Sequence, residues 1–151
     1  MSFTNRGRFM LLGVGFRAVA VQTNYFIALL TDATAPTVDT NLMSDHTQIA
    51  VGNGYADGGF SLTPGATDFD SLVENDTNDR GELQVKDVVW TAAAGPIPSS
   101  GGGARYAVLT DDNVTVSARE IYAWWDLTTP RTISDTQTLT LQNCELRLTL
   151  T

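Results

Sequence analysis

Residues 139–151, at the C-terminal end of the sequence, alternate leucine with threonine, glutamate or arginine. A period of two residues places the leucines on one face of a β-strand and the polar side chains on the other. The leucines before and after Asn143 have opposite parity, and a shift of one residue reverses the faces of a strand. The sequence therefore predicts a bulge or tight turn near residues 142–144, where Asn143 suits the turn.

The rest of the chain has the same strand character in shorter segments. Residues 25–30 form a continuous apolar run, which is typical of a strand buried on both faces. Residues 82–90 alternate, with Leu83, Val85 and Val89 on one predicted inner face. Turn residues separate these runs, and a 3.6-residue apolar period is almost absent. The pattern predicts an all-β fold, a jelly-roll-like β-sandwich of about eight short antiparallel strands. Further strands are predicted on both sides of a Pro64–Gly65 turn, over residues 105–109 and 114–116, and over residues 121–127, the last ended by Thr129–Pro130.

Residues 1–20 differ from the rest and are predicted to form an N-terminal arm, followed by one sandwich domain over residues 21–151. Asn5 could cap a short helix over residues 6–12, which Gly13 and Gly15 would end. An extended arm is the alternative. The segment could simply pack on the core, but its arginines beside apolar residues favour a docking arm.

The charge of the chain is strongly negative, at −8, with nine basic residues against seventeen acidic ones. Such a field repels phosphate groups, so nucleic acid is not an expected partner. Three arginines precede the first acid, Asp32, whereas eleven acids lie between Asp32 and Asp87. A basic, apolar beginning on an acidic body indicates two different surfaces. No apolar stretch reaches the length of a membrane-spanning helix, so no membrane partner is expected.

The residue types that carry catalysis or bind metals are scarce. With one cysteine, Cys144, and one histidine, His46, a zinc site within the chain is not expected. The Ser44-Asp45-His46 sequence is interpreted as a solvated turn, because the groups of a catalytic triad converge from separate segments. Paired acids such as Asp68 and Asp70 match no calcium loop. We therefore expect no enzyme activity, no catalytic residues, no metal and no cofactor.

Two adjacent tryptophans, Trp124 and Trp125, lie in the aromatic strand over residues 121–127. Neighbouring residues of a strand point to opposite faces, so one tryptophan is expected in the core. The other would be exposed or buried against a neighbouring subunit. Stacking on a sugar is a third possibility. We assign the pair to self-association or another partner surface.

Three segments resemble a family of small virion proteins of tailed bacteriophages, the head decoration or cement proteins. Residues 25–32 (YFIALLTD) are similar to an early strand of that family, and residues 41–59 (NLMSDHTQIAVGNGYADGG) to the segment that follows it. Residues 103–112 (GARYAVLTDD) are similar to a later strand and turn. The order and spacing agree over roughly residues 20–151, although Trp124 and Trp125 depart from the family pattern. The resemblance implies an all-β structural protein without catalytic residues.

From this resemblance we expect a capsid decoration protein that binds the outer surface of the shell and stabilises it by bridging capsomers. Its partners would be the major capsid protein and further copies of itself, as a dimer or trimer. It would lie on the outside of the virion, after assembly in the host cytoplasm. The alternatives are a tail or connector structural protein of the same particle and a carbohydrate- or receptor-binding β-module. The residues that we expect to contact the capsid are Arg6, Arg8, Phe9, Met10, Leu11 and Leu12.

Overall fold

The computed structural model describes residues 1–149, and it is an all-β sandwich with one N-terminal helix, as the sequence predicted. Ten strands lie within the described residues, against about eight expected. The difference arises from a two-residue strand at the N-terminus and from division of the predicted strands over residues 82–90 and 139–151 into two each, while the predicted strand over residues 114–116 is not formed. The elements are β1 (Ser2–Phe3), α1 (Asn5–Phe16), β2 (Tyr25–Leu30), β3 (Phe60–Leu62), β4 (Ser71–Asn75), β5 (Arg80–Val85), β6 (Val88–Thr91), β7 (Ala104–Thr110), β8 (Ile121–Arg131), β9 (Thr138–Leu141) and β10 (Cys144–Thr149), with short 3₁₀ helices at Met43–Asp45 and Val116–Ala118.

The main sheet has five antiparallel strands in the order β1-β8-β7-β2-β3. Its inner strand β2 is apolar throughout, residues 106–109 of β7 are buried, and residues 27–30 have no solvent exposure. Side chains of a strand point alternately to both faces, so a continuous apolar run requires cover on both sides. The prediction of a doubly buried strand over residues 25–30 is confirmed.

Two apolar clusters provide this cover, one on each face of the main sheet. The larger cluster fills the sandwich and includes Ile27, Leu29, Trp90 and Trp125. The smaller cluster lies on the opposite face and includes Leu30. Each fully buried aliphatic or aromatic side chain contributes about 1.5–3 kcal/mol to stability, so the main sheet is the stable centre of the protein.

A bent ribbon of two strand pairs closes the sandwich. β5 pairs with β10 and β6 pairs with β9, and the ladder is interrupted between Val85 and Val88 on one chain segment and between Leu141 and Cys144 on the other. Asn143 has a φ of +56° at the interruption, a conformation that asparagine tolerates better than most residues. The predicted break near residues 142–144, and the change of leucine parity across it, are confirmed.

The prediction of one strand over residues 82–90 is wrong because of the same interruption. They form β5 and β6 with a bend at Lys86 and Asp87, not one strand. The bend changes the parity, so Val88 and Trp90 face the core while Val89 is exposed. An alternating pattern read without the bend therefore placed Val89 on the wrong face.

Two further boundaries differ from the sequence prediction. Residues 114–116 do not form a strand; the chain turns there into the 3₁₀ helix Val116–Ala118. β8 does not end at Pro130 but continues to Arg131. Its register against β7 shifts between the pairs Ala104–Arg131 and Tyr106–Asp126, so Pro130 lies in an irregular stretch where the missing N–H breaks no paired ladder bond.

Candidate functional site

Helix α1 begins and ends at residues other than those predicted. Thr4, not Asn5, is the N-cap; its buried hydroxyl accepts a hydrogen bond from the Gly7 N–H at 2.8 Å. The helix continues through Gly13 and Gly15 to Phe16. It ends where Ala18 adopts a φ of +52°, a left-handed residue of the kind that ends many helices, and the Val19 N–H binds the Gly13 carbonyl at 3.2 Å. Of the two alternatives for this segment, the helix is the one observed.

The inner side of α1 is held firmly on the body. β1 pairs with β8, which places Phe3 and Thr4 in the interior immediately before the helix. Gly7 lies so close to β8 that a methyl group there would overlap the Tyr122 carbonyl oxygen. The Arg6 Nε donates to Glu120 at 2.9 Å. The first residues are therefore part of the sandwich, and α1 is docked upon it.

The predicted capsid-contact residues divide between the two sides of this helix. Met10 and Leu11 are partly buried and pack against the main core. Arg8, Phe9 and Leu12 point outward and are exposed. Arg6 is partly buried in its ion pair with Glu120, and its guanidinium lies 5.0 Å from the centre of the Phe9 ring.

The outward side of α1 is apolar as well. Phe9, Leu12 and Phe16 are 62%, 59% and 84% exposed. Residues at these spacings lie on one stripe of a helix. A helix that is hydrophobic all round is normally buried all round, whereas α1 has only its inner side covered. We call the stripe of Phe9, Leu12 and Phe16, with Arg8 and Arg17 beside it, the outer face of α1.

Sequence reasoning missed several members of this surface. Phe16 is the more exposed of the two phenylalanines on the outer face of α1. Beyond the helix, the exposed surface continues through Arg17, Val19 and Val21. The helix was predicted over residues 6–12, with Gly13 and Gly15 ending it, so these positions fell outside the predicted helix. The spacing of three and four residues from Phe9 to Leu12 and Phe16 was the available signal, and it required the helix to continue through two glycines.

The charges around the outer face differ from those of the body. Among the described residues, five of the nine basic side chains form ion pairs: Arg6, Arg80, Lys86, Arg105 and Arg147. Within residues 1–149, no carboxylate lies within 4 Å of the guanidinium of Arg8 or Arg17. These two cations stand beside exposed aromatic and aliphatic side chains on a chain of net charge −8. The arrangement suits contact with a protein surface that is both apolar and acidic.

The tryptophans point to opposite faces of the main sheet and one of them lies in the core, as the sequence predicted. Trp125 belongs to the main core, and its Nε1 donates to the Glu145 carbonyl at 3.4 Å. Trp124 points to the other face of the sheet, where it is partly buried and its ring meets the Tyr106 ring edge-on at 6.2 Å. The Trp124 Nε1 is buried, and no group of the described residues accepts its hydrogen. Both side chains thus pack mainly within their own chain.

An open apolar groove of about 530 Å³ lies between α1 and the small sheet β10-β5-β4. Leu11 and Tyr122 contribute to one wall. The other wall consists of leucines on the small sheet, namely Leu72, Leu83, Leu146 and Leu148. Helix α1 therefore contributes Leu11 to the groove, while Phe9, Leu12 and Phe16 of its outer face do not line the groove.

The groups that could carry chemistry are dispersed or inactive. Burial raises the pKa of the Cys144 thiol to about 12, so the thiol stays protonated and is a poor nucleophile at neutral pH. His46 contacts the Thr34 carbonyl oxygen and the Thr40 hydroxyl rather than Ser44. Asp45 accepts from the Leu42 N–H at 2.9 Å, as expected of a local turn. Among residues 1–149, no group of three or more histidine, cysteine, aspartate or glutamate side chains is placed to hold a metal.

No helix within the described part of the chain is long and apolar enough to span a bilayer. Comparison of the chain with protein-family models, with curated proteins and with solved structures found no match.

Proposed function

We propose that this protein is a head decoration protein of a tailed bacteriophage, which binds the outer surface of the capsid and stabilises the shell by bridging capsomers. The single observation that carries the proposal is the outer face of α1: a rigidly docked helix that leaves two phenylalanines and a leucine uncovered beside Arg8 and Arg17. The resemblance of residues 25–32, 41–59 and 103–112 to the decoration proteins supplies the biological setting.

In this mechanism, each copy buries a modest apolar area against the shell, and many copies together stabilise the particle. Full burial of a side chain such as Phe or Leu is worth about 1.5–3 kcal/mol. The three outer-face residues are 59% to 84% exposed, so each gains less than the full amount, and association costs several kcal/mol of lost freedom. One contact alone is therefore weak, but a particle that displays many copies sums such contacts through multivalency. The acidic body would face solvent and keep particles apart by charge repulsion.

The partners in this proposal are the major capsid protein and further copies of this chain, as a dimer or trimer. Nucleic acid and membranes are not partners. The protein would be made in the host cytoplasm and reside on the outside of the virion. A tail or connector protein of the same particle is the alternative, and it differs by being present in only a few copies. The glycan-binding alternative needs an exposed aromatic platform, which the packing of Trp124 and Trp125 does not favour.

The experiment uses purified shells that lack this protein. The triple variant Phe9→Ser, Leu12→Ser, Phe16→Ser is added to the shells beside a matched control, Val51→Ser, Val89→Ser, Val114→Ser, which changes three exposed apolar residues elsewhere. We expect the wild type and the control to sediment with the shells and raise their melting temperature, while the triple variant stays in solution.

Quantitative mass spectrometry of complete particles gives the second test. Copy numbers comparable to that of the major capsid protein support decoration, whereas a few copies per particle favour the tail or connector. Wild-type protein that neither occurs in particles nor binds shells would rule out the proposed function.

A further inference from the structure

The small sheet β10-β5-β4 has one polar and one apolar face. Its polar face carries two ion pairs along the strands, Arg80 with Glu82 and Arg147 with Glu145. Glu82 lies directly opposite Arg147 in the ladder, which adds a favourable cross-strand pair. This face is complete in itself and suits exposure to water.

The apolar face of the same sheet is covered at one end only. Leu72, Leu83 and Leu146 lie side by side across the three strands. Leu146 is buried, but Leu72 on the edge strand is 80% exposed. Leu148, two residues beyond Leu146 on the same face of β10, is 53% exposed. The sheet thus extends beyond the body of the sandwich, and its uncovered leucines form one wall of the groove.

The charge at this groove is opposite to that of the outer face of α1. The hairpin over residues 70–85, which contains β4 and β5 and borders the groove, has five acidic residues and one basic residue, Arg80. Glu74 follows Leu72 on the same face of β4, because residues two apart share a face. Arg8 and Arg17, in contrast, flank the apolar stripe of α1 without an acidic partner among the described residues.

The two surfaces also match in shape. The stripe from Phe9 to Phe16 spans seven residues, or about 10 Å at a helical rise of 1.5 Å per residue, and it is convex. The groove is concave, is lined mainly by aliphatic and aromatic side chains, and has a volume of about 530 Å³. An apolar helix face seated in an apolar groove is a recurring mode of protein recognition.

We infer that the groove between α1 and the small sheet binds the outer face of α1 of a second copy of this chain. The inference rests on the proposed docking role of that face: in free solution a neighbouring copy occupies the outer face of α1, and the shell displaces that copy when the protein binds the capsid. The contact joins two different surfaces, so it forms a reciprocal pair or, where it repeats head to tail, a ring or an open filament. It buries both uncovered apolar surfaces at once and brings Arg8 and Arg17 to the acidic hairpin.

The test uses two variants of the full chain, each with one altered surface. Leu12→Glu places a carboxylate on the outer face of α1, and Leu72→Glu places one in the groove. Both positions are largely exposed, so the fold should survive, which circular dichroism and thermal melting verify. Val114→Glu is the control, since Val114 is 96% exposed and distant in sequence from both surfaces.

The masses in solution are measured by light scattering during size-exclusion chromatography. We expect the wild type and Val114→Glu to form the same oligomer and each single variant to be monomeric, with self-association weakened by at least about tenfold. The equimolar mixture of Leu12→Glu and Leu72→Glu should form a one-to-one dimer, because one intact helix face and one intact groove remain between them. Higher ionic strength should weaken the wild-type oligomer, since the contact includes exposed charges.

Two results would overturn the inference: a wild type that remains monomeric at high concentration, or variants whose mixture stays monomeric although the wild type associates. The second result would indicate that the outer face of α1 binds another outer face, or that the groove binds another groove. The shell-binding assay separates this inference from the proposed function. A monomeric wild type that still requires the outer face of α1 to bind shells retains the proposed function and loses the inference. A wild type that forms the oligomer but never binds shells retains the inference and loses the proposed function.

Discussion

The five-stranded sheet and the small sheet β10-β5-β4 are covered in different ways. The central strands of the large sheet have apolar side chains on both faces, and both faces are covered by side-chain clusters of the same chain. The small sheet has a polar face with ion pairs and an apolar face that is only half covered. The large sheet thus provides the stability of the fold, whereas the small sheet keeps apolar surface available for contact with another protein.

The largest expected effect comes from removing side-chain volume at the centre of the large sheet. Leu29 is fully buried in the main core, so Leu29→Ala should lower the free energy of unfolding by about 2–5 kcal/mol. Leu72→Ala, at the exposed edge of the small sheet, should change it by less than about 0.5 kcal/mol. Guanidinium unfolding of both variants makes the comparison. Equal losses would mean that the two sheets are equally important for stability.

The next effect concerns the attachment of α1 to β8. A methyl group at Gly7 would overlap the Tyr122 carbonyl oxygen, while nothing lies within 4 Å of the corresponding position at Gly15. Gly7→Ala should therefore cost about 1–3 kcal/mol through overpacking and make α1 sensitive to limited proteolysis. Gly15→Ala should instead stabilise the helix by about 0.5–1 kcal/mol. If both substitutions had the same sign, α1 would not be docked as described.

The bend between β9 and β10 lies between the strand pair β6-β9 and the small sheet β10-β5-β4. Asn143 lies in this bend with a φ of +56°. Asn143→Ala should lower stability by about 1 kcal/mol, because the left-handed conformation costs other residues about that much. Asn143→Gly should be neutral or slightly stabilising. Thermal melting of the pair distinguishes a conformational requirement from a side-chain contact, since a contact would be lost in both variants.

The smallest effect is expected at the ion pair between Lys86 and Asp68, beside the bend between β5 and β6. Lys86 Nζ lies 2.6 Å from the Asp68 carboxylate and, with the Thr63 N–H, holds the pKa of Asp68 below its usual value. A carboxyl group whose pKa is lower in the folded than in the unfolded chain stabilises the fold above the unfolded pKa. That stabilisation is lost as the pH falls through the acid range, below about 4.

Asp68→Asn should therefore cost less than about 1 kcal/mol at neutral pH, and the difference from the wild type should vanish in acid. Asp135→Asn, at an exposed loop position, is the control. Unfolding curves measured at several pH values test this dependence. A difference that stays constant with pH would show that the charge of Asp68 is not its source.

Much of the fold could be predicted because it depends on local patterns. The apolar run over residues 25–30 requires two covered faces, and the leucine parity around Asn143 requires a break, wherever the segments lie in space. Val89 was misplaced because the bend at Lys86 and Asp87 has no strong local signal. The Lys86 N–H binds the Asp68 carbonyl at 3.0 Å, and a contact between residues so far apart in the sequence is not visible in the pattern.

The candidate site was predictable only in part. The sequence alone indicated a basic, apolar N-terminal segment on an acidic chain, and it indicated that this segment had a role apart from the sheets. Which side of α1 is inward was decided by the tertiary structure: Gly7 fits against the Tyr122 carbonyl oxygen, so Met10 and Leu11 turn to the core and Phe9, Leu12 and Phe16 turn outward. The groove, too, exists only once β4, β5 and β10 extend past the body. Strand and helix periods are local properties of the chain, whereas the uncovered part of an apolar surface depends on how distant segments pack together.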